Sequence, residues 1–152
     1  MAHVTLPDLE PIIDRRVADF QAARINCAEC VLLILAEYYG WQSPLFPRIA
    51  TGFGGGMGGT QRTCGAFSGA LMAIGMLMGR DAGGDKAPAY EAGRSLASFF
   101  QARCGAVNCA DILGGTGFDD PAFRSPGGKH QAVCEPLVAA VCRYVAQKYH
   151  RD

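Results

Sequence analysis

After Pro7-Asp8, the apolar residues Leu9, Ile12, Ile13, Val17 and Phe20 recur three and four positions apart, which predicts an amphipathic helix over about 8–23. The run Val31-Leu32-Leu33-Ile34-Leu35 belongs to a second helix that starts at Cys27 behind Asn26 and stops at Gly40. Glu29, at its third position, completes a capping box with Asn26. A third helix, Cys64 to Gly79, is apolar on every side and is expected to be enclosed by the others, with Gly65, Gly69 and Ala73 permitting close approach. The fourth, about 87–103, presents Tyr90, Gly93, Leu96, Ala97, Phe99 and Phe100 as its inner side. A short turn, Cys109 to Leu113, follows Asn108 and ends at Gly114-Gly115. The last helix, about 130–149, carries the stripe Cys134, Leu137, Val138, Val141, Cys142, Val145 and Tyr149; Pro136 either begins it or bends it.

No stretch alternates with period two for long enough to make a strand. The prediction is one all-α domain over 1–152, a compact bundle of about five helices with a glycine-rich loop before the central helix. The uncharged stretch Thr63 to Gly79 is short for a bilayer and interrupted by glycine, so no membrane span is expected. Two connections are long, Trp41 to Arg62 and Gly114 to Lys129, and such loops tend to be functional or disordered. The first holds Gly52 to Gly59, part of an unusual 20 glycines in 152 residues, together with Phe53 and Met57. It is expected to be ordered over the thiol of Cys64. The second carries Asp119-Asp120 and leads toward Cys134.

A chain of this length buries a core without disulfides or metal. Its 14 basic and 14 acidic residues balance, and no basic cluster exceeds Arg15-Arg16, which argues against nucleic acid or an anionic membrane as partner. Met1 to Glu10 lacks the basic-then-apolar order of a leader. Seven cysteines without export imply a reducing, cytoplasmic setting, where they serve as thiols, ligands or transient disulfides.

Three of the seven follow a capping residue and precede an apolar run: Asn26-Cys27, Thr63-Cys64 and Asn108-Cys109. Each reads as Cys at the first helical position, where the positive end of the dipole favours thiolate, the nucleophile of redox chemistry and the ligand of soft metals. Cys64, next but one to Arg62, is expected to have a lowered pKa and to be the most reactive. The plainer reading, inert burial, stands beside this, because free Cys is among the most buried residue types. Gly52 to Gly59 lacks the Lys-Ser/Thr of a phosphate loop. His130, four residues before Cys134, could be a base or ligand but reads first as a solvated histidine at a helix end; His3 and His150 lie in tails. Met72, Met76 and Met78 read as bundle core.

Phe53-Gly54-Gly55-Gly56-Met57 followed by Cys64-Gly65-Ala66-Phe67-Ser68-Gly69 resembles the redox-active protein family named for its C_GCAxxG_C_C cysteine pattern. Asn26-Cys27-Ala28 resembles its NCA segment, Val107-Asn108-Cys109 with Leu113-Gly114 its third cysteine segment, and Cys134 ahead of Leu137-Val138-Ala139-Ala140 its fourth. The likeness covers about residues 16 to 146. It implies small helical proteins, mostly prokaryotic, with four characteristic cysteines and a frequent association with transport genes. Some members are selenoproteins, and a similar domain accompanies haem and an iron-sulfur centre in split-Soret cytochromes. Cys27, Cys64, Cys109 and Cys134 correspond to the four; Cys30, Cys104 and Cys142 are additional. The resemblance thus implies either thiol-disulfide exchange or electron transfer at a cysteine cluster, with a redox or transport-associated partner. Alternatively, the same four would bind zinc or an iron-sulfur cluster without catalytic turnover. Thiol redox is the first expectation, because ligands so far apart in sequence are unlike zinc-finger pairs.

Overall fold

The computed structural model describes residues 5–151. His3 lies outside them. The described chain forms α1 (Leu9–Gln21), α2 (Cys27–Tyr39), a 3-10 turn (Arg48–Phe53), α3 (Gly65–Met78), α4 (Ala87–Cys104), α5 (Cys109–Ile112), a π-helical turn (His130–Cys134) and α6 (Glu135–Lys148). Among the described residues the only β-type pairing is an isolated antiparallel bridge, Thr63 with Asn108. The architecture is all-α, as the hydrophobic periodicity predicts.

α2 and α3 are the central pair: α2 packs against α1, α3 and α6, and α3 against α2, α4 and α6. Seven of the 13 residues of α2 are buried, including Val31, Leu32, Ile34 and Leu35. The two helices approach through Gly69, where an added Cβ would stand 2.7 Å from the carbonyl oxygen of Ala28, so only a glycine lets α3 lie so close. α3 is not fully enclosed, since Leu71 and Met76 are exposed. In α4 the inner side is Ala92, Leu96 and Phe100, and Tyr90 is turned to solvent, 56% exposed beneath the Lys86 ammonium.

The start of α2 is fixed as the sequence predicts. The Asn26 side chain accepts from the Glu29 amide, Glu29 accepts from the Asn26 amide, and Gly40 closes the helix at φ +79°. At the chain's end the alternative left by Pro136 resolves into a continuous helical path. Proline supplies no amide and crowds the carbonyl four residues back; the turn before it widens to five-residue spacing, with the Glu135 amide bonded to the His130 carbonyl.

Candidate functional site

Four segments meet at one end of α2 and α3. Cys27 opens α2, and the amides of Ala28, Gly55 and Gly65 face its sulfur alongside its own. An added Cβ at Gly65 would collide with the Cys27 Sγ, so the glycine of the Cys64-Gly65 pair is the space that this sulfur occupies. Cys64 is not the first residue of α3 but its N-cap, with Gly65 following. Its carbonyl accepts from the amides of Phe67 and Ser68, and its thiol faces the Ala66 and Phe67 amides without forming a cap hydrogen bond.

Thr63 and Asn108 differ from their expected role as caps. They form the antiparallel bridge instead: the Cys64 amide donates to the Val107 carbonyl at 2.9 Å, and the Cys109 amide to the Arg62 carbonyl at 2.7 Å. Asn108 precedes α5 without a side-chain cap hydrogen bond. Because neighbours of a bridged pair share a side of the ribbon, this pairing sets Cys64 and Cys109 on the same side, diagonally across the bridge. Cys134 arrives from the end of the π turn.

Together these four cysteines line a cavity of about 230 Å³. Phe20, Leu113, Phe123, Leu137 and Val138 make much of its wall, Gly55 and Gly59 contribute backbone, and Arg124 is the one permanently charged side chain on it. Cys30, Cys104 and Cys142 are not part of the lining. Cys30 and Cys142 are fully buried in the core, where the Cys30 thiol donates to the Arg16 carbonyl at 3.5 Å, and Cys104 ends α4. All seven cysteines are free.

The glycine-rich segment winds through left-handed backbone at Gly55, Gly56, Met57, Gly58, Gly59 and Gln61. It is held by the Gln61 amide on the Gly55 carbonyl and the Arg62 amide on the Gly56 carbonyl, both 2.9 Å. An added Cβ at Gly56 would stand 2.7 Å from the Arg62 backbone, so the coil closes only without a side chain there. The second long connection meets it: Gln61 donates to the Thr116 carbonyl at 2.9 Å, and Phe118 lies over Gly55.

A lowered pKa for Cys64 does not follow from this geometry. Burial pushes its thiol well up, and the nearby Cys27 adds to the rise, against the lowering by the Ala66 and Phe67 amides. Burial raises Cys27 as well, against the amides around it, and takes Cys109 to about 11 and Cys134 to about 12. The desolvation of an ion in an apolar cavity outweighs the partial charge of a helix end.

His130 is not the solvated helix-end histidine that its place in the sequence suggests. It is 4% exposed, not solvated, and lines the same cavity, with its Nδ1 2.8 Å from the Glu135 Oε2.

The family model described as "Putative redox-active protein (C_GCAxxG_C_C)" matches residues 25–148. The chain belongs to the C_GCAxxG_C_C family. The match takes in every cysteine, the glycine-rich segment and His130, and leaves out Phe20, which α1 contributes to the cavity wall. No curated protein and no solved structure matches the chain. The C_GCAxxG_C_C description carries a redox role without a stated mechanism. No helix among the described residues is long and apolar enough to cross a membrane.

Proposed function

We propose that the protein is an electron carrier whose centre is a polynuclear iron-sulfur group held in the cavity by Cys27, Cys64, Cys109 and Cys134. The observation that carries this reading is that four cysteines from four separate segments line one cavity of about 230 Å³. A structural zinc needs four donors within about 2.0–2.3 Å of one centre. Among the described residues no three His, Cys, Asp or Glu side chains are grouped to hold such an ion. A polynuclear group spreads its protein ligands around a volume, and thiolate is the donor it takes. Such a group supplies reversible one-electron transfer when bound.

The chain's own residues have definite tasks in this reading. The amides of Gly55, Gly65 and Ala28 are aimed at the Cys27 sulfur and favour its anionic form. Phe20, Phe123, Leu137 and Val138 exclude water, which raises the cost of net charge and so tunes the potential. Arg124 offsets negative charge beside Cys134. Dithiol exchange is the alternative, and it needs two of these thiols within disulfide reach with one of them as thiolate, a form that burial disfavours while the thiols are metal-free.

A reductive titration of anaerobically purified protein, with thiols counted before and after, separates the two. The iron-sulfur reading expects visible absorption that bleaches in a one-electron step. A colourless protein that gains two thiols per chain on reduction would replace it with disulfide chemistry.

A further inference from the structure

His130 opens the π turn that ends at Cys134, and such widened turns recur at functional sites. Its ring is clamped, 4.3 Å from Phe20 and 5.6 Å from Phe123 at 89°, two residues that also wall the cavity. Glu135, which holds Nδ1, lies outside the cavity and lines a neighbouring cleft with Ser125 and Pro126, and His130 stands between that cleft and the cavity, lining both. The two ring nitrogens diverge, so Nε2 is turned away from Glu135. That Nε2 is buried and has no hydrogen-bond partner, alone in this among the buried side-chain nitrogens and oxygens of the described residues.

A buried nitrogen without a partner is rare enough to need a reason. The carboxylate supplies one, since an acceptor at Nδ1 holds the proton there and leaves the Nε2 lone pair free. A carboxylate behind the far nitrogen is how metal-bound imidazoles are held.

We propose that His130 Nε2 is a nitrogen ligand to the metal group held in the cavity, with Glu135 as its positioning residue. This rests on the iron-sulfur reading above. Iron in such clusters takes four-coordinate surroundings, so the imidazole takes the place of one of Cys64, Cys109 and Cys134, while Cys27, whose sulfur the amides of Ala28, Gly55 and Gly65 face, stays in the ligand set. Replacing a thiolate by a neutral nitrogen brings less negative charge into an apolar site and raises the reduction potential.

The test uses full-length protein labelled with 15N-histidine, reconstituted anaerobically with ferrous iron and sulfide, reduced, and studied by pulsed electron paramagnetic resonance. A hyperfine coupling from a directly bonded 15N is expected in the wild type and is lost in His130→Ala. Glu135→Gln is expected to keep the coupling but to bind iron about 10–100-fold more weakly. A paramagnetic centre without such a coupling, or a coupling that survives in His130→Ala, overturns the assignment and leaves the cysteine reading standing. Protein that takes up no iron overturns both. The labelled wild type carries the main readout, so a variant that fails to fold does not obscure the result.

Discussion

Gly65 shows how one missing side chain sets the geometry of the cysteines. Gly→Ala inside a helix ordinarily stabilises by about 0.5–1 kcal/mol, because glycine loses more freedom on folding. At Gly75 the space beside the helix is open, and Gly75→Ala is expected to raise stability by about that amount. At Gly65 the new methyl would meet the Cys27 sulfur and stand 3.0 Å from the Phe53 carbonyl, so Gly65→Ala is expected to destabilise instead. Urea unfolding of the two variants measures the opposite signs. Equal gains would show that Cys27 does not occupy that space.

The thiols themselves predict a dependence on pH. Burial raises Cys109 to about 11 and both Cys30 and Cys134 to about 12, whereas an unfolded cysteine titrates near about 8.5. Between those values the unfolded chain has released protons that the folded chain keeps, so stability is complete below about pH 8.5 and falls as pH rises toward 11–12. The urea midpoint of reduced, metal-free protein should therefore be lower at pH 10 than at pH 8. An unchanged or higher midpoint would mean that these thiols are not desolvated in the fold.

Among the elements, the start of α2 was fully legible because its signal is local: Asn26 and Glu29 cap each other three residues apart. The same box ties the helix to the 3-10 turn, since Asn26 Nδ2 donates to the Thr51 carbonyl and Thr51 Oγ1 to Glu29 Oε2, each at 2.9 Å. Asn26→Ala is expected to cost about 1–2 kcal/mol, toward the upper end for a lost N-cap, measured by chemical unfolding. A loss under about 0.5 kcal/mol would mean that the box is not coupled to the turn. Thr63 and Asn108 carry the same local signal as Asn26 but were drawn into a bridge between segments 45 residues apart, a pairing no local pattern encodes. That bridge moved Cys64 from the first helical position to the cap.

Across the whole molecule, the hydrophobic periodicity found the helices and the cysteine pattern found four residues that line one cavity. What stayed hidden was made by distant parts. His130 is covered by Phe20 of α1 and Phe123 of the second loop, and it opens the widened turn before Pro136. The sequence signal was a histidine followed five residues later by Glu135, a spacing that brings the two together on a π turn and not on an α-helix. The reactivity of Cys64 was misjudged for a related reason, since a helix terminus is visible in sequence and the enclosing loops are not.

The iron and acid-labile sulfide content of anaerobically purified protein, compared between wild type, Cys27→Ser and Cys104→Ser, decides whether the cavity cysteines hold an iron-sulfur group. Cys27 lines the cavity with the amides of Ala28, Gly55 and Gly65 facing its sulfur, and Cys104 lies off the cavity. Iron and sulfide are expected together in the wild type and in Cys104→Ser, with both lost in Cys27→Ser. Wild-type protein without either, or contents that Cys27→Ser leaves unchanged, would contradict the iron-sulfur reading.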